Sequence, residues 1–333
     1  MMPASSAVPI LIIAYRRPDL LVGLLQAIPD DRRLYIVVDG PKSPDHLDGV
    51  IETRSLVTAW AQSRRGVKLC LRDHNMGGPD GIPSAIDFAF THEKILCILE
   101  EDCIPSPLAF SYVDYASAEL EASSSIAGGT LNNFVAARLG TRFPSSFLSL
   151  FPHCWGWYTT KEAWSSLRPS RDEFRSFSSG EVSCVDSVLL QVFPNDRRAR
   201  HYWRPIFKKL IACESYHWDY AFTFKMWSQG KKFIAPPVNL VSNVGADDRS
   251  QNCKTAGPNH FLKTPVGSRP ADIAHLLQPV SRCYDYEDFD RINQALVFPS
   301  KLSLRAMVRK SLLLAKQFRM PKPSASSPVR GCV

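Results

Sequence analysis

The sequence predicts an α/β protein whose first 130 residues form a doubly wound half. Three observations carry this. Short, nearly continuous apolar runs recur through that stretch, as strands do when helices cover both faces of a sheet. Amphipathic segments separate them. Turn chemistry then marks where the runs end, as in Asp39-Gly40-Pro41.

The elements follow in order. Val8–Tyr15 reads as the first strand, and Pro18–Ile28 as a helix opening on proline. Leu34–Val38 is a strand, 47–63 a helix and Val67–Leu71 a strand. Asn75-Met76-Gly77-Gly78 forms a glycine-rich turn before a helix over Gly81–His92. Such a turn lets backbone amides approach an anion, or simply opens a helix. It fits neither the dinucleotide nor the P-loop pattern. Ile95–Leu99 is a strand that runs into Glu100-Glu101-Asp102, and 108–122 is helical. The second half is less regular and rich in Trp, Phe, Ser and Pro. A helix is expected at Trp218–Gln229, with long acceptor-site loops at 195–204 and 243–268. The domain reading is one unit over 8–300, divided at 130 into a nucleotide half and an acceptor half.

Composition narrows the function classes. The 333 residues are 45% hydrophobic and 22% charged, an ordinary globular balance. The net charge is +8, and the eight Lys and Arg of 301–333, with no Asp or Glu among them, account for all of it. The neutral body is no nucleic-acid binder by composition. As a helix, 301–320 places Lys301, Arg305, Arg309, Lys316 and Arg319 in one stripe, interrupted by Leu312. That stripe suits an anionic membrane surface, or the solvated face of a packed helix. Residues 321–333, rich in Pro and Ser, read as disordered. Nine scattered cysteines without C-x-x-C spacing suggest free thiols and no zinc site. The apolar run at the first strand is too short for a membrane span. A cytoplasmic location is expected, with peripheral contact at the inner membrane face through 301–320.

The chemistry concentrates at Glu100-Glu101-Asp102. Ligands of open α/β sheets bind at the carboxyl ends of strands. Three adjacent carboxylates repel one another unless a positive charge lies among them. A hard divalent cation shared with substrate phosphates would supply it.

These segments resemble the inverting GT-A glycosyltransferases, closest to the N-acetylglucosaminyltransferase I branch and its bacterial relatives. The resemblance rests on the acidic run with Ile104-Pro105-Ser106-Pro107 and Phe110 after it. It extends to Ile12-Ile13-Ala14-Tyr15-Arg16-Arg17 and Tyr35-Ile36-Val37-Val38-Asp39. Farther on, Trp155-Gly156-Trp157 is similar to a Gly-Trp loop, and His217-Trp218-Asp219 to the Trp-Asp catalytic segment. The family has Asp where this chain has Glu101, and a second acid where it has Tyr220.

The resemblance implies a GT-A fold, a Rossmann-like nucleotide half with a mixed sheet, continuous with an acceptor half. It implies Asp102 as ligand of Mn2+ or Mg2+, Glu101 at the ribose, and Glu100 near the transferred sugar. Arg17 and Asp39 would line the nucleotide pocket. Apart from the resemblance, aromatic faces suit sugar rings, so Trp157 and above all Trp218 are candidate donor-sugar contacts, with core packing the alternative for each. Asp219 would be the catalytic base, in the first turn of a helix whose dipole draws its pKa down. The implied reaction is hexosyl or N-acetylhexosaminyl transfer from a nucleoside-diphosphate sugar to a glycan, lipid-linked or protein acceptor, as in polysaccharide biosynthesis. The alternatives are a nucleotidyltransferase forming a sugar nucleotide and a non-catalytic sugar-nucleotide-binding protein. Against the former, no Gly-rich, Arg/Lys-bearing loop follows the first strand.

Overall fold

The computed structural model describes residues 7–139, 143, 145–175, 182–250 and 287–298. The expected basic helix over 301–320 and the tail over 321–333 lie outside the described residues, as does 251–268 of the second expected loop.

Four parallel strands form the first half: β1 (Ile10–Ala14), β2 (Leu34–Val38), β3 (Val67–Leu71) and β4 (Ile95–Glu100). They pair in the order β3-β2-β1-β4, so the chain winds outward and then crosses back beside β1. Helices α1 (Pro18–Ala27), α2 (Leu47–Gln62), α3 (Gly77–Phe90) and α4 (Ala109–Ala122) cover the two faces. Alternation along each strand builds two cores. Ile10, Ile12, Ile36 and Leu99 face one, while Leu11, Val37, Leu96 and Ile98 face the other.

The second half extends the same sheet. β8 (Trp157–Thr160) runs antiparallel to β4, followed by β6 (Ile126–Thr130), β9 (Lys232–Ala235) and β7 (Phe147–Ser149), giving eight strands in all. The expected α/β fold with a mixed sheet running from one half into the other is therefore present. A separate antiparallel pair joins β5 (Cys103–Pro105) to β10 (Val241–Asn243). β6 passes tightly beside β8: a Cβ on Gly129 would lie 2.1 Å from Tyr158 Cζ, so this strand needs glycine.

Around the second half pack α5 (Phe134–Leu139), α6 (Lys161–Leu167), α7 (Arg171–Arg175), α8 (Val182–Val192), α9 (Arg197–Ile211), α10 (Trp218–Ser228) and α11 (Glu287–Val297). Two sequence expectations change here. Residues 195–204 are not a loop: α9 begins at 197, where the Asp196 carboxylate accepts from the Arg198 and Ala199 amides. Its face of Ala199, Trp203, Phe207 and Leu210 is buried, and that stripe carries the helix through Pro205. Helix α3 starts earlier than expected because Asp39 accepts from the Met76 and Gly77 amides. Among the described residues no helix is long and apolar enough to cross a membrane.

Candidate functional site

The carboxyl ends of β1 and β4 lie side by side, with Ile13 opposite Glu100. Glu101 and Asp102 follow β4, and Arg17 stands at the start of α1 after β1. This juxtaposition answers the repulsion in the acidic run from within the chain. Arg17 Nε donates to Glu101 Oε1 at 2.7 Å, and an Arg17 terminal nitrogen donates to Asp102 Oδ2 at 2.6 Å. The side chains are 12%, 6% and 13% exposed, so the charges interact in a poorly screened setting. The pair of carboxylates holds Arg17 fully charged, its pKa raised against the opposing effect of burial.

The remaining oxygens are also engaged. Glu101 Oε2 accepts from the Tyr15 amide at 2.6 Å. Asp102 Oδ1 accepts from Asn243 Nδ2 at 3.1 Å, and the Asp102 carbonyl from the Val244 amide at 2.9 Å. The third Arg17 nitrogen donates to the Gly245 carbonyl at 3.1 Å. A Cβ at Gly245 would fall 1.9 Å from Asp102 Oδ2, so only glycine lets the segment after β10 come this close. Glu101 thus reaches the end of β1 and Arg17 at once.

Glu100 differs. Its pKa is pushed up to about 8, first by burial and then by Asp102, Glu101 and Asp219, with Arg17 opposing. Asp219 lies in the first turn of α10, close enough for its charge to act on both Glu100 and Cys154. The expected downward shift at Asp219 is corrected. Burial raises its pKa and outweighs the Tyr220 amide and His217, which lower it. The fold therefore brings together Arg17, Glu100, Glu101, Asp102 and Asp219, from segments more than 200 residues apart in sequence.

Three other expected residues are occupied elsewhere. Asp39 accepts from Asn75 Nδ2 at 3.0 Å as well as from the opening amides of α3, and Arg72 lies 3.6 Å from its Oδ1. Its place at the end of β2 is as expected, but its carboxylate is spent on a helix start. Trp157 is 1% exposed and stacks on Trp218 at 6.1 Å between Trp164, Phe222 and Phe233. The reading of Trp157 as a sugar-facing residue is corrected: it sits in a sheet strand and its ring is core. Trp218, 7% exposed, gives one face to that stack. Asn243 and Gly245 were missed by sequence reasoning; no local pattern signals a residue whose partner is 141 positions away.

Among the described residues no group of three or more His, Cys, Asp and Glu side chains is placed to hold a metal ion. Asp102 Oδ2 has a lone pair beyond the one that Arg17 uses, so this single carboxylate could join a cation completed by substrate phosphates. With Arg17 and Asn243 on its two oxygens, it does not fit a cation caged by protein alone.

Neither a protein-family profile nor a curated protein sequence matches the chain. Among solved structures, the chain is similar to a mannosyltransferase from Pyrobaculum calidifontis in complex with GDP-Man and Mn2+. The two share 15% identity over 67% of this chain and 69% of that one, at a TM-score of 0.36.

Proposed function

We propose that the chain is a GT-A glycosyltransferase that moves a sugar from a nucleoside-diphosphate sugar to an acceptor hydroxyl with inversion. The observation that carries this is that Asp219, in the first turn of α10, lies near enough to the acidic run at the end of β4 for its charge to act on Glu100. Asp219 has a pKa raised by burial, and no ion pair holds it among the described residues. A carboxylate that is more basic than usual is a better proton acceptor.

The step balances simply. The acceptor oxygen attacks the anomeric carbon while its proton passes to the Asp219 carboxylate. The bond from that carbon to the phosphate oxygen breaks on the opposite face, and the diphosphate leaves with the electron pair. Arg17 supplies a fixed positive charge beside Asp102. Asp102 is the residue that would hold Mn2+ or Mg2+ together with the donor phosphates; such an ion supplies Lewis-acid stabilisation of the leaving group. Glu100, whose pKa is raised first by burial and then by its acidic neighbours, would approach the transferred sugar. Branch, sugar and acceptor class remain as implied by the resemblance.

Asp219→Asn tests the reading. Asn matches Asp in size at this second position of α10, which is not the helix cap, so the fold should hold. Transfer should fall by roughly 10²–10⁴-fold with donor binding near normal. Activity within a few-fold of wild type would remove Asp219 from the mechanism. A second reading is favoured by the fully engaged Glu101 and Asp102, namely a sugar-nucleotide-binding protein without turnover. Donor hydrolysis in the presence of manganese separates the two, since only a transferase leaks donor to water.

A further inference from the structure

We infer that the outer face of α9 is a docking surface for an anionic lipid membrane. This does not rest on the transfer reading. Between Arg197 and Cys213 the chain carries no Asp or Glu. With Ala199, Trp203, Phe207 and Leu210 buried, the helix turns Arg197, Arg198, Arg204, Lys208 and Lys209 outward over an arc of roughly 140°. Arg204 pairs with Asp186 of α8 at 2.6 Å, both about half exposed. Arg197, Arg198, Lys208 and Lys209 have no ion-pair partner among the described residues.

The patch therefore keeps most of its charge uncompensated, although residues 1–300 are neutral overall. Charge of this kind attracts an anionic surface, at about 1 kcal/mol for each basic residue close to it. The edges of the patch decide which surface. Leu190, one helical turn along α8 from Asp186, is 57% exposed, and Pro205 is exposed in the middle of the basic arc. Exposed aliphatic groups between long basic side chains fit the headgroup boundary of a bilayer. A single-stranded nucleic acid would instead call for a run of open aromatic rings. His201 is the one ring exposed within the arc, and Tyr202 beside it is half-buried and edge-on to Trp203 at 5.3 Å. The face is one convex helix side, suited to a broad surface.

The test uses the full chain and its quadruple charge reversal, Arg197→Glu, Arg198→Glu, Lys208→Glu and Lys209→Glu. Co-sedimentation is measured with phosphatidylcholine vesicles and with vesicles carrying a third phosphatidylserine, and duplex DNA binding is measured in parallel. We expect wild type to bind the phosphatidylserine vesicles alone, the reversal to weaken this at least tenfold, and Leu190→Ser to weaken it a few-fold. Thermal unfolding should change little, since Arg197, Arg198, Lys209 and Leu190 are exposed and Lys208 is half-buried without an ion-pair partner among the described residues. Should the reversal misfold, Lys208→Gln/Lys209→Gln should still weaken binding several-fold. Vesicle binding that is unchanged in these variants would overturn the proposal and assign any lipid contact to residues 301–333. Equal binding to neutral vesicles, or tighter binding to DNA than to phosphatidylserine vesicles, would also overturn it.

Discussion

The two halves of the sheet use their conspicuous residues in opposite ways. In the first half, charged residues at strand ends are gathered into one cluster: Arg17 after β1 meets Glu101 and Asp102 after β4. In the second half, the conspicuous tryptophans are packed away. Trp157, Trp164, Trp203 and Trp227 are among the largest fully buried side chains. Strand ends of a parallel sheet converge on one edge, so polar residues there become a site almost by topology. The antiparallel strand β8 has no such end at that edge, and its bulky residues fill the space between sheet and helices. An aromatic residue in the second half is therefore core unless shown otherwise, and an acid at a first-half strand end is not.

The largest expected effect sharpens that contrast from the aromatic side. Trp157→Ala should cost about 3–5 kcal/mol of stability through the cavity it leaves. In chemical denaturation the midpoint should move, while the KM for donor in the surviving folded protein stays near wild type. A KM rise without a stability loss would return Trp157 to the donor site.

Arg17→Ala probes the charged side. Removing one partner of a buried ion pair leaves Glu101 and Asp102 uncompensated, a loss of about 3 kcal/mol. Arg17→Lys, which keeps the charge but not the two-pronged donor geometry, should recover part of that loss. An Arg17→Ala variant as stable as wild type in chemical denaturation would mean that the pairing is not what stabilises this edge.

A smaller effect reports on how the second half is closed. His153 Nε2 and Asn293 Oδ1 of α11 lie 3.1 Å apart, and burial lowers the His153 pKa to about 4. The folded pKa lies below the unfolded value of 6.5, so between those values the unfolded chain binds the proton and the folded chain does not. His153 should therefore cost stability, on the order of 2 kcal/mol, as pH falls from about 6.5 to about 4. Glu100 and Asp219, with raised values, tilt the curve the other way, losing stability as pH rises. Subtracting the His153→Gln pH–stability curve from that of wild type isolates the histidine. No slope in the difference would mean that His153 titrates alike in both states.

Gly245→Ala should have the smallest effect, about 1–3 kcal/mol, because Asp102 and Arg17 must shift to admit a methyl group. Nucleotide affinity should change with it, since the displaced groups belong to the acidic cluster. An undisturbed affinity would detach the segment after β10 from the site.

Much of the first half was legible in the sequence. The bounds of β2 and β3 follow directly from apolar runs between turn residues, and Pro18 marks the start of α1. The acidic run at the end of β4 was visible for the same reason: periodicity and punctuation are local signals. In the second half, Asp196 before an amphipathic 3.6-residue pattern was a readable helix start, obscured by Pro205 and by a dense run of basic residues.

The sequence by itself determined the elements of the first half and the placement of acids at a strand end, because these depend on neighbours a few residues apart. Only the tertiary structure decided what those acids touch. Arg17 rather than empty solvent faces Asp102, Asn243 and Gly245 arrive from 141 and 143 positions away, and burial rather than the helix dipole governs Asp219. Hydrogen bonds, ion pairs and desolvation depend on distance in space, and the path that brings residues 17, 102, 219 and 243 together is set by packing of the whole sheet.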